Sequence, residues 1–380
     1  MKKLFSAFIA IVLLLTSFAA CDKEPNIPDY DPYADFLTGG VMQNETVVLI
    51  EGADGKYSGK LLFTPEKVIS VKDYTLQKTF DESEYTIEGN IISTTKNSTL
   101  PKMTEKMTTG EEGKDIYGWQ SYDTGYVFTE GLGILMHQVA VTYTYDKSLS
   151  FGAIPSYEGD KLVNFSAKLG KKEKTGVFLY GDSISYGCSS SAMLGTAPYL
   201  PDYGTGFAEE LGRRSGAEVL LYNGSQGGRN STDGVNGLDS ALEVSNSFFG
   251  GKPDLFIIAF GMNDCAHKIS RETYKQNLVS MIEKVRLNCE KTDILIISTI
   301  LPNVKSSHDT KLMDEYNNVH DELINSYERV IKLDMTNFTR ELYKTKNSLD
   351  VLANNVNHPS DFLVRCYDVC LLKKLYKETY

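Results

Sequence analysis

Four short stretches of this chain carry residues able to do nucleophilic chemistry. Gly181-Asp182-Ser183 follows an apolar run at 177–180. Its serine therefore stands where a strand of an open parallel sheet ends and where such sheets bind ligands. A serine hydroxyl needs a base to become a nucleophile, and donors to hold the oxyanion it creates. Asn223-Gly224-Ser225-Gln226-Gly227-Gly228-Arg229 follows a second apolar run at 219–222. Glycines there let backbone N–H groups approach a ligand. Gly261-Met262-Asn263-Asp264 follows a third run at 255–260, and its asparagine amide can donate to a developing oxyanion. Asn355-Val356-Asn357-His358-Pro359 stands near the end, so a loop histidine can reach back to the first strand as a base.

The elements that must position these residues can be read in outline. Further apolar runs lie at 294–298 and 330–333, and helical stretches separate the runs. The clearest helix spans 270–289, with Tyr274, Leu278, Met281, Ile282 and Val285 on one face and Ser270 as N-cap. A last helix is expected over 361–376. Alternating strands and helices imply a parallel sheet covered on both faces. The region 38–165 has a different period. Val139, Val141, Tyr143 and Tyr145 alternate with Ala140, Thr142 and Thr144, the pattern of a half-buried strand. A hairpin is expected around Glu88-Gly89-Asn90, with short strands at 61–63 and 68–71. Turn signals recur at the spacing of a β-sandwich. Residues 95–115 are polar and read as an exposed excursion. Trp119, Tyr117 and Tyr122 are either core fillers or exposed platforms for sugar rings. Lys171-Lys172-Glu173-Lys174 reads as a charged hinge between the two regions.

At 380 residues the chain has room for about two domains. An aromatic content of 11% argues against a disordered chain, and a net charge of −11 argues against nucleic acid as a partner. Lys2 and Lys3, an apolar run at 8–15 and then Ser17-Phe18-Ala19-Ala20-Cys21 make a secretory signal, too short to span a membrane comfortably. The cysteine after two alanines resembles a bacterial lipobox. That resemblance implies lipidation of Cys21 and anchoring in a bacterial cell envelope; the plainer alternative is a signal cut nearby. The organisation expected is a signal with its lipidated cysteine over 1–21 and a proline-bearing tether over 22–37. A β-sandwich-like accessory domain over 38–170 and a catalytic domain over 171–380 follow. Without Cys21, five cysteines remain, an odd number that excludes complete internal pairing. Cys188 and Cys265 each follow a proposed site block and are expected to lie close enough to pair. No HExxH or CxxC pair occurs, so no zinc site is inferred.

Gly-Asp-Ser, then Asn with Gly-Gly, then Gly-x-Asn-Asp, then a late His-Pro, each after its strand, resemble the SGNH (GDSL) hydrolases over about residues 175–378. The resemblance implies a flavodoxin-like doubly wound α/β domain, here with an N-terminal β-sandwich-like lobe. It implies Ser183 as nucleophile and His358 as the base that later returns the proton to the leaving alcohol. The oxyanion hole would be the backbone N–H groups of Ser183 and Gly228 and the side-chain amide of Asn263. Asp182 and Asp264 would brace their turns, Asn223 would shape the second block, and Arg229 would face the substrate. The family usually has Asp three residues before the histidine; this chain has Asn355. Either Asn355 or a backbone carbonyl orients His358, or a carboxylate comes from elsewhere; Asn355 is the expected orienter. Asp361 is close in sequence but reads as a helix N-cap. His137, His267, His308 and His320 read as structural or solvated. The expected activity is serine esterase chemistry on O-acyl, chiefly O-acetyl, groups of a polysaccharide or oligosaccharide, with no cofactor and no nucleic-acid partner. A lipase or lysophospholipase-type acylhydrolase and a non-catalytic glycan-binding lipoprotein are the alternatives.

Overall fold

The computed structural model describes residues 31–122 and 125–377. The signal, Cys21 and most of the tether lie outside the described residues. Val41–Val48 (β1), Lys67–Asp73 (β2) and Gln138–Thr144 (β3) form an antiparallel sheet with β3 in the centre. A second antiparallel sheet holds the expected hairpin, Tyr85–Glu88 with Ile91–Thr94, and a third pairs Gln120–Tyr122 with Tyr126–Phe128. These separate sheets make the extra N-terminal lobe. Residues 61–63 are not a strand. Leu62 donates its N–H to Glu45 Oε1 and Phe63 to the Tyr143 hydroxyl, so side chains take the place of a ladder. The excursion at 95–115 carries two short helices, Glu105–Thr109 and Lys114–Tyr117.

Val163–Gly170 (α1) leads into the parallel sheet. It packs on Thr175–Gly181 (β4) and Asp293–Ile297 (β7), and the N–H groups of Asn164 and Phe165 both reach Asp293 Oδ2. The expected boundary at 170/171 therefore leaves on the lobe side a helix that packs on the sheet. Val219–Asn223 (β5), Leu255–Ala259 (β6) and Val330–Leu333 (β8) complete the sheet in the order β5-β4-β6-β7-β8, all parallel. That is the flavodoxin-like order, and helices flank the sheet. The first strand in sequence lies second in space. The order thus reverses beside β4, where doubly wound sheets bind ligands.

Val177, Phe178, Leu179 and Tyr180 on β4 are each 0% exposed. A strand covered on both faces must read as a continuous apolar run, which is why this one does. Burying each such side chain contributes about 1.5–3 kcal/mol. Arg271–Asn288 (α6) begins at Ser270, whose side chain accepts the Thr273 N–H, and buries Tyr274, Leu278, Met281, Ile282 and Val285.

The lobe and the parallel-sheet domain share one hydrophobic core, in which Val47, Leu49 and Tyr143 join Leu342, Val351 and Phe362. Ser348–Val351 (α9 counting Ser183–Tyr186 as α2, Tyr203–Ser215 as α3, Ser231–Phe249 as α4, Met262–Ala266 as α5, Thr310–Ser326 as α7 and Met335–Leu342 as α8) docks on β1. Asp350 Oδ1 accepts the Val48 N–H at 2.7 Å, and the Gln138 amide donates to the Leu349 carbonyl at 2.6 Å. Lys346 Nζ meets Glu45 Oε1 at 2.7 Å with both side chains fully buried. Breaking a buried pair by removing one partner costs about 3–5 kcal/mol, so the seam resists opening. On the last helix, Asp361–Leu375 (α10), buried Arg365 donates to the carbonyls of Pro32 and Gln43.

Candidate active site

Ser183 is the first residue of α2, directly after β4. Gly181 makes this turn possible, because a Cβ there would stand 2.4 Å from the Ala259 carbonyl oxygen. Asp182 caps the helix by accepting the Ile184 N–H at 2.9 Å. The Ser183 hydroxyl lies 3.1 Å from His358 Nε2. The histidine comes from the far end of the chain on a loop wound around Asn354. The Asn354 side-chain oxygen accepts the N–H groups of Val356, Asn357 and His358 at 2.9, 2.9 and 3.0 Å. With Nε2 accepting the serine proton, the ring proton sits on Nδ1, an assignment drawn from the hydrogen-bond network. Nucleophile and base are therefore within hydrogen-bond reach at the C-terminal end of the sheet.

The candidate oxyanion donors stand on the segments that follow β4, β5 and β6. The Ser183 N–H opens α2. Gly228 has φ +77°, a left-handed conformation suited to glycine, and a Cβ added at Gly227 would stand 3.9 Å from the Ser183 Cβ. This block is pinned to β4 by the Gly224 N–H on the Leu179 carbonyl at 2.8 Å and the Gln226 N–H on the Gly181 carbonyl at 3.1 Å. Asn223 donates to the Ser185 carbonyl at 2.8 Å and accepts the Ser225 N–H, so it shapes the turn. Asn263, in α5, donates to the Arg229 carbonyl at 2.9 Å; its amide carries a second N–H. Asp264 accepts both the N–H and the hydroxyl of Ser231 and ties this block to the start of α4. Burial raises Asp182 to about 7 and Asp264 to about 6.

The Nδ1 side of His358 is not arranged as expected. Asn355, the residue expected to orient it, points elsewhere. Its amide donates to the Val127 carbonyl at 2.8 Å, and its oxygen accepts from Ser348 at 2.6 Å and Asn303 at 3.2 Å. The residue has φ +58°, and that backbone turns its side chain away from the ring that it precedes by three positions. In its place Glu130 Oε2, from the lobe, lies 3.0 Å from His358 Nδ1. The Ser189 hydroxyl lies 3.2 Å from the same nitrogen. Asn354 donates to the other Glu130 oxygen at 3.3 Å. Burial alone would raise the Glu130 carboxyl. The hydrogen bond and charge of His358, with bonds from Asn354 and Ser189, outweigh it and hold the group below its ordinary value. A carboxylate in this place can fix the ring tautomer and stabilise an imidazolium.

The GDSL-like lipase/acylhydrolase family model matches residues 179–362, the span that holds the serine and the histidine. The C-terminal domain belongs to the SGNH/GDSL hydrolases. The matched family is one of lipases and acylhydrolases. Solved structures resemble the chain at low identity. A two-domain esterase active on acetylated mannans is 18% identical, with 58% of this chain and 54% of that one covered and a TM-score of 0.43. Axe2, an acetylxylan esterase from Geobacillus stearothermophilus, is 15% identical over 54% of this chain and 96% of that one, TM-score 0.44. AlinE4, an SGNH-hydrolase family esterase, is 21% identical over 42% and 75%, TM-score 0.33. The chain thus spans about half the length of the two-domain esterase. No curated protein matches it.

Several other residues of the hydrolase depart from expectation. The Arg229 guanidinium lies against the Tyr180 hydroxyl. Cys188 and Cys265 are both free. Cys265 is buried and its thiol donates to the Asp309 carbonyl, which turns it toward another loop. Asp361 is not the N-cap of α10, which is Ser360; it accepts the Ser191 N–H at 2.9 Å and so holds the loop beside the serine. Burial raises Asp361 to about 6. Trp119 is 4% exposed and packs with Val127 and Ile134, so it fills core; the Tyr122 side chain lies outside the described residues. His137 bonds the Gly133 carbonyl, His320 the Tyr274 hydroxyl and His308 the Ser306 hydroxyl, while His267 is exposed beside Asn230. Glu130 and Ser189 were missed. Glu130 sits in a polar turn far from every block, and the sole hint of it was the amide at 355.

Proposed function

We propose that this hydrolase removes O-acyl groups, chiefly O-acetyl, from a carbohydrate through an acyl-serine intermediate. The observation that carries the reading is the 3.1 Å approach of His358 Nε2 to the Ser183 hydroxyl at the open end of the sheet. Ser183 Oγ attacks the acyl carbon as its proton passes to Nε2. The oxyanion rests on N–H donors from Ser183, Gly228 and Asn263. Collapse expels the sugar alkoxide, which takes the proton from His358. Water, deprotonated by His358, then attacks the acyl-serine and releases the acid. The surroundings favour a polyhydroxylated leaving group. Asn354, Ser189 and Glu130 put amides and oxygens around His358, and Asn263 adds an amide on the loop after β6. Tyr186, one helical turn after Ser183, is 50% exposed, and Tyr199 in the adjoining loop is 44% exposed. Exposed aromatic faces beside a polar rim suit sugar rings better than a long acyl chain. The signal and the cysteine after it support export and lipid attachment at Cys21 in a bacterial envelope.

The test is acetate release from acetylated glycans together with turnover of nitrophenyl esters of rising chain length. The wild type should prefer acetyl, and Ser183→Ala should lose at least about a thousandfold in kcat. A preference for long acyl chains would make it a lipase-type enzyme. Glycan binding with no turnover would make it a binding protein. Cys21→Ala should abolish incorporation of a labelled fatty acid.

A further inference from the structure

We infer that Glu130 of the N-terminal lobe is the positioning carboxylate of His358, so that the lobe is a working half of the active site. The inference rests on the esterase reading above for its kinetic consequences. The geometry closes around Nδ1. The ring can hand Nε2 to the serine only if its proton sits on Nδ1, and that proton needs an acceptor. Glu130 Oε2 lies 3.0 Å away, and an ionised carboxylate only accepts. Ser189 also touches Nδ1 and bonds the same carboxyl, so its hydroxyl can donate to Glu130 while its oxygen receives the ring proton. Asn354, whose oxygen winds the histidine loop, donates to Glu130 Oε1. One asparagine therefore fixes both the base and its partner.

The strand that delivers Glu130 is itself stapled to the histidine loop. Asn355 donates to the Val127 carbonyl at 2.8 Å, and Lys305 donates to the Gly125 carbonyl at 3.1 Å. Position 355 thus needs an amide donor, which a carboxylate could not supply. The charge that orients the ring arrives instead from across the lobe seam. Glu130 does not take the ring proton; it holds the tautomer and steadies the imidazolium that forms when Ser183 is deprotonated. Its side chain is 54% exposed, so solvent weakens it relative to a buried partner.

The experiment uses the full chain with Glu130→Gln and Glu130→Ala, a nitrophenyl acetate assay and proton NMR. Glu130→Gln should lower kcat about ten- to a hundredfold with KM within about twofold, short of the roughly ten-thousandfold seen for a buried triad aspartate. The downfield Nδ1–H resonance should survive in Ser183→Ala and be lost or shifted in Glu130→Gln. Formate should restore part of kcat in Glu130→Ala and none in Ser183→Ala. Melting temperatures near the wild type would show both variants folded. Unchanged kcat and resonance in Glu130→Gln would overturn the proposal. So would a loss confined to KM, or a resonance that follows Ser189→Ala alone. A wild type that cleaves no ester would sink the esterase reading instead, and the resonance would still report whether Glu130 holds the ring.

Discussion

At the scale of single residues, the site is a set of hydrogen bonds whose donors and acceptors must match. Asn263 shows the constraint. One amide proton is held by the Arg229 carbonyl at 2.9 Å, which aims the group and leaves one proton for an acyl oxygen. Asn263→Ala should therefore cost about a hundred- to a thousandfold in kcat with little change in KM, measured on a short ester. An equal loss in Asn263→Asp would fit this role, since a carboxylate cannot donate; full activity in Asn263→Ala would refute it. Ser183, His358 and Asn263 were legible in the sequence because each follows a strand or closes the domain, and strand ends converge. Glu130 was not. Its neighbours in sequence carry no periodic signal, and it is brought to the ring only by pairing within the lobe and by the seam.

Among the elements, the histidine loop and the strand Tyr126–Phe128 act as one unit. Asn355 sits at φ +58°, where asparagine is tolerated, and spends its amide on the Val127 carbonyl. Restoring the aspartate common in related sequences should therefore not help. Asn355→Asp would set a carboxylate against a carbonyl oxygen in a buried place, at a cost of about 1–3 kcal/mol. The expected result is a lower melting temperature and a lower kcat, read by calorimetry and by steady-state kinetics. A gain in kcat would show that the carboxylate had reached His358. The parallel strands and α6 were legible because a doubly covered strand and an amphipathic helix leave clear periods. The short segment 61–63 misled because its apolar residues pack while its N–H groups bond Glu45 and Tyr143, a long-range choice that local pattern does not carry. Tyr186 lies on α2 beside the nucleophile, and Tyr186→Ala should raise KM for acetylated glycans while sparing nitrophenyl acetate. Equal effects on both substrates would exclude a sugar platform.

For the molecule as a whole, the fold stores several carboxyl groups in places that disfavour their charge. Burial holds Asp182 at about 7, Asp264 at about 6 and Asp361 at about 6, against an ordinary value near 4 in the unfolded chain. A carboxyl raised in this way stabilises the fold fully below its unfolded value, and that stability is lost as pH rises through the folded value. Other groups act in the opposite sense. Buried His320, lowered to about 3, and His137 and His308, also lowered by burial, cost stability as pH falls through the ordinary histidine range, and the stability that Glu130 contributes is lost as pH falls from its ordinary value through its lowered one. Of these three carboxyls Asp182 alone ionises mainly between pH 6.5 and 8, and comparing the wild type with Asp182→Asn isolates it there, because every other shifted group is common to both proteins. The stability of the wild type relative to that variant should fall across the range, with a slope of at most about 1.4 kcal/mol per pH unit from this one group. Asp182→Asn keeps an acceptor for the Ile184 N–H but carries no charge, so it should flatten the slope. Calorimetry at half-unit steps decides the matter. A variant whose curve runs parallel to that of the wild type would show that Asp182 is already ionised beside the nucleophile.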